Sequence, residues 1–397
     1  MELSQRLEIS YYKTVATING EHNVFLVQHT ETGRICVKKT LDIYNIRVYE
    51  YLKSNYITGT PRITEYCEEN GISTEINIEK DEEGWYNLGS AEDLMEFSRV
   101  HALGLVPSAK VRLTADIDMA GVENFECIGR SAETYNKGAN LSERGFSGEF
   151  DGQGYAIRNL TYTWTGNNGA EGLFGVNTGT IKNLGIDNFQ FMDLNASDGR
   201  YGILCGTNIG TISNCYVVNS TMIFQYICGA FAGGNYGGTI ENCCEFNNTI
   251  ENHARAGHMV GDGYDDNKTR YGKIINCYSD NFVSGDGCPT GYAGTETGCQ
   301  GHVDADRFAS GEIAFLLNKG QSTPAWFQTI GEDGYPVLDN NHGYVVQNGD
   351  GYMCFTSESY AEAWTMVVDN EMLYLSDAVG QMSLLEEFEN MLHTDEE

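Results

Sequence analysis

The sequence predicts a mainly β protein built around a parallel, right-handed β-helix solenoid with short capping helices, and three features carry this prediction. An Ile-x-Asn motif occurs five times between residues 157 and 276. Its asparagines are 24, 31, 28 and 34 residues apart, which is about one coil of a solenoid. The chain holds 47 glycines and 5 prolines, a composition that suits tight turns between short strands. Such a repeat buries its apolar face only against its neighbours, so stacked coils are expected.

The length of the chain indicates more than one module. At 397 residues it exceeds the size at which a single core usually divides. Residues 1–70 carry eight Lys/Arg and nine Asp/Glu, whereas residues 340–397 carry twelve Asp/Glu and no Lys or Arg. The two ends therefore differ from each other and from the repeat. The expected modules are a small N-terminal lobe (1–70), an acidic linker (71–84), a helix with an N-terminal cap (85–145), the repeats (146–300), a closing segment (301–339) and an acidic tail or cap (340–397).

Composition and charge restrict the partners. The chain is 41% hydrophobic and 20% charged, as in a folded protein, and its net charge is −32. Nucleic acid is not expected as a partner, since its phosphates favour basic surfaces. No apolar stretch is long enough to span a bilayer, and the first residues lack the apolar core of a signal peptide. The chain as written is therefore expected in the cytoplasm and as a monomer.

The N-terminal lobe alternates apolar and polar residues in a strand-like way. Residues 11–18, 24–29 and 34–39 predict three strands, 42–54 a helix and 62–67 a further strand. This order, with Ile35-Cys36-Val37-Lys38 on the third strand, resembles the small α+β lobe of eukaryotic-like bacterial Ser/Thr protein kinases. The resemblance implies that Lys38 matches the lysine that pairs with ATP phosphates.

The departures from the kinase pattern exclude phosphoryl transfer. Residues 19–23 offer a single glycine for the phosphate-covering loop, and Val48 stands where the helix should carry a glutamate. No H-R-D or D-F-G motif follows, and phosphoryl transfer depends on these parts. The lobe is thus a truncated, vestigial kinase-like domain with no expected ATP affinity, and no cofactor is expected.

A capped helix and a strand precede the repeats. Ser90 is a good N-cap and Asp93 stands at the capping-box position, which predicts a helix to about Ala102. Residues 111–119 (VRLTADIDM) alternate as one strand. Near the C-terminus, the spacing of apolar residues predicts one helix over 308–320 that ends at Gly320. In the tail it predicts strands over 344–346 and 353–355 and a helix over 383–392. The tail is expected to cap the open edge of the solenoid.

The repeats themselves carry a second resemblance. Four coils share a glycine-rich approach and a strand: 172–186 (GLFGVNTGTIKNLGI), 202–217, 229–244 and 257–279. Together with VRLTADIDM and FSGEFDGQG, in this order, they resemble the GLUG-motif repeat proteins of bacterial surfaces over about 85–337. The resemblance implies an adhesin-like β-helix whose relatives are cell-surface or secreted proteins.

The repeated positions are expected to be structural. The asparagines should form a ladder at a coil corner, and the cysteines that follow three of them should pack inside as small, reduced apolar residues. A Cys288–Cys299 bridge is the alternative, and without a CxxC pair no zinc site is expected. The ladder residues are Asn159, Asn183, Asn214, Asn242, Asn276, Cys215, Cys243 and Cys277.

Candidate functional side chains fall into three groups. The pairs Asp116/Asp118 and Glu149/Asp151 could bind calcium or act as acid and base, although turn capping is the favoured interpretation. The side chains of His253, Arg255 and His258 are assigned to a solvated loop. The weak metal candidates are Asp262, Asp265 and Asp266, and the candidate exposed, ligand-binding aromatics are Tyr162, Trp164, Tyr226, Tyr236 and Tyr264.

The sequence favours non-catalytic recognition or adhesion, with carbohydrate or a surface protein as the partner. The first alternative is a regulatory pseudokinase-type module without phosphotransfer. The second is a carbohydrate-active β-helix enzyme. Fold alone does not decide among them, because β-helices serve many functions.

Overall fold

The chain divides into two compact units, Met1–Asn77 and Ile78–Glu397. In the first unit the structure describes the backbone of five short strands. The computed structural model describes residues 12–19, 24–29, 35–39, 43–44, 72–73, 78, 80–102, 106–123, 125–129, 145–163, 170–193, 199–224, 227–252, 255–263, 271–281, 294–358 and 361.

The first unit contains a three-stranded antiparallel sheet at the positions where alternation predicts strands. The helix predicted from residue 42 is wrong at its start, because residues 43 and 44 form a strand that pairs with a partner near residue 72. The rest of that helix and the strand over 62–67 lie outside the described residues. The strands are β1 (Tyr12–Asn19), β2 (Val24–His29), β3 (Ile35–Lys39), β4 (Ile43–Tyr44) and β5 (Ile72–Ser73).

The second unit is a parallel β-solenoid, which confirms the predicted architecture. Its strands pair in parallel with their counterparts one coil away. They are β6 (Trp85–Leu88), β7 (Lys110–Leu113), β8 (Ile117–Asp118), β9 (Glu149–Asp151), β10 (Ala156–Arg158), β11 (Thr161–Thr163), β12 (Ala170–Glu171), β13 (Phe174–Asn177), β14 (Thr180–Asp187), β15 (Gln190–Asp193), β16 (Arg200–Gly202), β17 (Cys205–Asn208), β18 (Thr211–Val218), β19 (Thr221–Phe224), β20 (Ile227–Gly229), β21 (Ala232–Asn235), β22 (Thr239–Glu241), β23 (Cys244–Phe246), β24 (Thr249–Asn252), β25 (Arg255–Ala256), β26 (Val260–Asp262), β27 (Lys273–Ile275), β28 (Tyr278–Ser279) and β29 (Thr295–Thr297).

Four sheets run along the solenoid axis. The central sheet has twelve strands, with the path β29-β27-β22-β18-β14-β9-β7-β6, and β8, β10, β23 and β28 pair beside it. Three four-stranded sheets follow the orders β11-β15-β19-β24, β12-β16-β20-β25 and β13-β17-β21-β26. Buried isoleucines align across the coils of the central sheet, for example Ile181 with Ile212 and Ile212 with Ile240. The repeat therefore forms a column of apolar side chains inside the solenoid.

Glycines allow two of these sheets to pack backbone against backbone. A Cβ atom on Gly206 would lie 2.3 Å from the backbone nitrogen of Glu171, and one on Gly233 would lie 2.4 Å from that of Tyr201. Contacts this short leave no room for a side chain. The glycine-rich approach in each repeat thus reflects the contact between the β12 and β13 sheets.

A helix closes the first end of the solenoid. Helix α1 (Ala91–Ala102) begins with the expected capping box, since the Asp93 nitrogen donates to Ser90 Oγ at 3.2 Å and the Gly89 nitrogen donates to Asp93 Oδ2 at 3.0 Å. The ring of Phe97 on its buried face meets that of Phe146 edge-on at 6.5 Å. The single strand predicted over 111–119 is interrupted, and its two ends are β7 and β8.

The C-terminal part packs on a flank of the solenoid. It contains α2 (Ala305–Ala309), α3 (Glu312–Asn318) and an antiparallel hairpin of β30 (Tyr344–Asn348) and β31 (Gly351–Phe355). The single helix predicted over 308–320 is wrong, because Gly311 adopts a φ of 88° and separates two helices.

The described part of the tail packs together with the closing segment. Phe308 packs on Phe246 at 4.8 Å between ring centroids, and Trp326 packs on Tyr216 at 6.3 Å. The hairpin joins the same apolar cluster through Val345 and Cys354. The predicted helix over 383–392 lies outside the described residues.

Candidate recognition site

One column of asparagines lies where the repeat places it. Asn183, Asn214, Asn242 and Asn276 adopt left-handed φ values between 48° and 52°, a conformation that Asn tolerates better than most residues. Asn276 Nδ2 donates to Asn242 Oδ1 at 2.8 Å, and Asn214 Nδ2 lies 3.5 Å from Asn183 Oδ1. These side chains bend each long strand at a corner and bond to the next coil, so their role is structural.

Asn159 belongs to a second column, which corrects its assignment to the first. Arg158 pairs with Asp187, so Asn159 aligns with Asn188, and Asn188 Nδ2 donates to Asn159 Oδ1 at 2.7 Å. Asn247 Nδ2 likewise donates to Asn219 Oδ1 at 2.8 Å. A second asparagine five residues after each first-column asparagine was the signal for this column. We call Asn159, Asn188, Asn219 and Asn247 the outer amide column.

A third, fully buried amide column was not predicted. Asn177 Nδ2 donates to Asn208 Oδ1 at 2.9 Å, and Asn208 Nδ2 donates to Asn235 Oδ1 at 3.0 Å. Asn235 Nδ2 continues to the carbonyl oxygen of Lys273 at 3.2 Å. Burying these amides is tolerated because their donors are occupied by the neighbouring coils.

The repeat cysteines stack inside the coils. Leu184 pairs with Cys215, and Cys215, Cys243 and Cys277 are fully buried. The nine cysteines whose side chains are described form no disulfide. Cys288 lies outside the described residues, so its bridge to Cys299 remains a prediction without a structural description.

The candidate carboxylate pairs are bound to basic side chains. Lys182 Nζ lies 2.7 Å from Glu149 Oε1 and 3.3 Å from Asp151 Oδ2. Burial opposes the charge on Lys182, but hydrogen bonds to these two carboxylates raise its pKa. Both acids are thereby used in joining adjacent coils.

The second carboxylate pair serves the same purpose. Arg158 Nη2 lies 3.0 Å from Asp116 Oδ2, which also brings Asp116 close to the next coil. Asn159 Nδ2 donates to Asp118 at 2.8 Å, and this hydrogen bond lowers the pKa of Asp118. Neither pair is left free to act as acid and base.

The two aromatic candidates that the structure describes are less exposed than predicted. Tyr236 is 1% exposed and accepts a hydrogen bond from Arg200 Nε, so its assignment to the surface is wrong. Tyr162 is half-buried, donates from its hydroxyl to Glu171 Oε2 at 3.0 Å and stacks on Phe191 at 5.0 Å between centroids. Trp164, Tyr226 and Tyr264 lie outside the described residues.

The structure describes only part of the metal and nucleotide candidates. Asp262 is buried, with 6% of its surface exposed, rather than part of a solvated acidic loop. Asp265 and Asp266 lie outside the described residues. Within the described part of the chain, no three His, Cys, Asp or Glu side chains are grouped to hold a metal ion. Lys38 lies on β3 in register with Phe25.

A buried acid was missed by the sequence analysis. Glu245, fully buried on β23, accepts a hydrogen bond from Ser279 Oγ at 2.6 Å and one from Asn248 Nδ2 at 3.3 Å. His258 Nδ1 lies 3.6 Å from Glu245 Oε1, so the assignment of His258 to a solvated loop is wrong.

Burial controls the charge of this acid and its neighbour. Burial raises the pKa of Glu245 to about 8. Burial, followed by the charge of His302, lowers the pKa of His258 to about 4. Near neutral pH both side chains are therefore uncharged. Because Glu245 is fully buried, this cluster is a titratable part of the core and does not contact a substrate.

The β11-β15-β19-β24 sheet presents a partly exposed outer face, which we call the lateral face. One of its rows consists of hydroxyl and amide side chains, in register between adjacent coils about 4.8 Å apart. Beside it lie Met192, which is 51% exposed, and the partly exposed Ile223. Gln190 Nε2 donates to Asn188 Oδ1 at 3.3 Å and joins this face to the outer amide column. The polar row consists of Thr161, Gln190, Thr221 and Thr249.

Comparison with known proteins gives one structural likeness. No protein-family model and no curated protein matches the chain. A solved structure described as a putative immunoglobulin A1 protease from Bacteroides ovatus is similar to it, with a TM-score of 0.36 and 16% sequence identity. The likeness covers 66% of this chain and 94% of the other. Values of this size carry no inference about function, and the solenoid rests on its own strand pairing.

Among the described helices, none combines the length and the hydropathy that a membrane span requires.

Proposed function

We propose that this protein is a non-catalytic recognition module of the adhesin kind, whose lateral face binds a carbohydrate chain. The observation that carries the proposal is the polar row of the lateral face, which repeats exposed or partly exposed hydrogen-bonding groups once per coil. The candidate acid pairs, in contrast, are engaged by Lys182, Arg158 and Asn159, which disfavours a carbohydrate-active enzyme. The resemblance of residues 85–337 to GLUG-motif repeats supports the same proposal.

The chemistry of the lateral face suits sugars. Threonine hydroxyls and the Gln190 amide both donate and accept hydrogen bonds, as sugar hydroxyls do. Met192 and Ile223 add an apolar strip on which the C–H groups of a sugar ring can pack. Each contact is weak, but a polymer that lies along the solenoid axis engages several coils at once, and its affinity rises accordingly.

Charge narrows the class of carbohydrate. The chain carries a net charge of −32, and Glu251 lies exposed on the lateral face. Acidic polysaccharides would be repelled by this field. We therefore expect a neutral or amino-bearing glycan rather than a uronate or sulfated polymer.

The test is binding of neutral, amino-bearing and acidic polysaccharides to immobilised full-length protein, with matched threonine variants. Thr221→Ala on the lateral face should weaken binding about two- to tenfold, the range expected for one hydrogen bond. Thr211→Ala, on the outer side of the central sheet, changes the same side chain elsewhere and should leave binding unchanged. Binding that responds equally to both variants, or to neither, would refute the lateral face as the site.

A further inference from the structure

The column of buried cysteines continues to a fourth thiol at the end of the solenoid. Ile275 pairs with Thr297, and the same register two residues later places Cys277 beside Cys299. The Gln300 nitrogen donates to the Cys277 carbonyl oxygen at 3.0 Å, which keeps the pairing intact beyond the strand. The two cysteines therefore occupy equivalent positions on adjacent coils.

Their thiols also point in the same direction. Cys277 Sγ lies 3.3 Å from the Ile275 carbonyl oxygen, and Cys299 Sγ lies 3.6 Å from the Thr297 carbonyl oxygen, so each contacts the residue two positions earlier. Each thiol affects the pKa of the other, which agrees with their equivalent positions on adjacent coils. Adjacent strands lie about 4.8 Å apart, within the Cα separations that disulfides bridge.

Exposure distinguishes the last thiol from the others. Cys215, Cys243 and Cys277 are fully buried, whereas Cys299 is partly exposed. A small solute can therefore reach the column only through Cys299.

We propose that Cys277 and Cys299 form an oxidant-sensitive dithiol, which hydrogen peroxide converts into a disulfide that fixes the last coil to the one before it. The Cys299 thiolate attacks the peroxide O–O bond, becomes a sulfenic acid and releases the second oxygen as water after protonation. The Cys277 thiolate then attacks the sulfenic sulfur and displaces hydroxide, which leaves as water. Two thiols and one hydrogen peroxide thus give one disulfide and two waters, and the two electrons pass from sulfur to oxygen.

The two thiols titrate as a pair. Burial opposes a charge on Cys277, but hydrogen bonds from the thiols of Cys243 and Cys299 hold its pKa well below the usual value. The hydrogen bond with Cys277, followed by burial, raises the pKa of Cys299. The attacking form is the one in which the proton has moved from Cys299 to Cys277, and these pKa directions make it the less populated form of the pair.

The disulfide would stabilise the end of the solenoid. β29 is the terminal strand of the central sheet, with its residues exposed. Asn276, next to Cys277, donates to the carbonyl oxygen of Leu316 at 3.2 Å and so contacts helix α3. A covalent link between the last two coils is thus expected to oppose separation of β29 from this supported position.

The experiment exposes the reduced full-length chain to hydrogen peroxide, alkylates the remaining thiols and maps disulfide peptides by mass spectrometry. A Cys277–Cys299 peptide is expected, together with an upward shift in Tm that a reductant reverses. Cys288→Ser should retain both results. Cys299→Ser should abolish both while its circular dichroism before oxidation matches that of the unmodified chain.

Three results would overturn the proposal. A Cys288–Cys299 peptide would assign the oxidation to a different pair. Sulfinic acid on Cys299 without a disulfide would show that Cys277 does not resolve it. An unchanged thiol content at peroxide concentrations that oxidise a free cysteine peptide would show that the column is inert.

Discussion

The protein is expected to lose stability as the pH rises above neutrality, because buried Glu245 then ionises. Glu245→Gln should not show this loss. The folded-state pKa of Glu245 is raised to about 8, whereas its ordinary value is 4.5. The folded protein thus holds this proton more tightly than the unfolded chain does. The resulting stability is full below pH 4.5 and is lost as the pH rises through about 8.

The magnitude follows from the two pKa values. A difference of about 3.5 units, at 1.36 kcal/mol per unit, gives a maximum effect of about 5 kcal/mol at high pH. His258 acts in the opposite direction, because its folded pKa of about 4 lies below its ordinary value of 6.5. Its contribution is lost as the pH falls from about 6.5 to 4, so the two effects partly cancel there.

Between about pH 6.5 and 8 Glu245 loses its proton while His258 stays neutral, and the loss expected from Glu245 across this interval is about 2 kcal/mol. The measurement is the free energy of unfolding by urea, followed by circular dichroism at several pH values in this interval. Glu245→Gln should flatten the curve. Glu251→Gln makes the same change at an exposed position and should leave the slope as it is.

The outcome also discriminates between two states of the cluster. If Glu245 and His258 formed a buried ion pair, Glu245→Gln would leave an unpaired charge and reduce stability at every pH in the interval. A uniform loss of stability without a change in slope would therefore refute a neutral Glu245.

Two further predictions concern the coil contacts. Asn242→Gly should lower the free energy of unfolding by about 1 kcal/mol, because it removes the hydrogen bond from Asn276. Asn242→Ala should lower it by about 2 kcal/mol, because alanine also strains the left-handed backbone. Urea unfolding of both variants tests this, and equal losses would contradict the account. Gly206→Ala should destabilise the fold by more than about 3 kcal/mol, since its Cβ would lie 2.3 Å from the Glu171 nitrogen. The control Gly334→Ala has no atom within 4 Å of its Cβ and should be nearly neutral. If Gly206→Ala left thermal unfolding unchanged, the close packing of the two sheets would be disproved.

Periodicity in the sequence predicts the solenoid but not all of its register. Asn183, Asn214 and Asn242 follow a shared Gly-Thr-Ile and lie in one column. Asn159 also ends an Ile-x-Asn motif, without the preceding Gly-Thr, yet it aligns with Asn188, because Phe150 rather than Ile157 pairs with Ile181. A local motif cannot distinguish two corners of one coil when both prefer asparagine.

The burial of polar side chains in the candidate site is harder to predict from the sequence. Tyr236 was assigned to the surface from its place in a turn, but Arg200 approaches it from the preceding coil. Glu245 lies inside the solenoid because Val217 and Ser279 flank it in register, a contact between residues about 30 positions apart. Local sequence contains no signal for such contacts, and the same holds for the closing segment, which packs on a flank rather than an end.

The position of that closing segment changes how the solenoid should come apart. A stack of coils ordinarily frays from its ends, one coil at a time, since each coil contacts only its neighbours. Here one apolar cluster joins Phe308 and Trp326 to Ala156, Tyr216 and Tyr278, which lie in coils from near the start of the stack to near its end. The last coil can separate only if the closing segment first loses its contacts, and these contacts also involve the earlier coils. The closing segment is therefore expected to couple the coils, so that they unfold cooperatively rather than one by one.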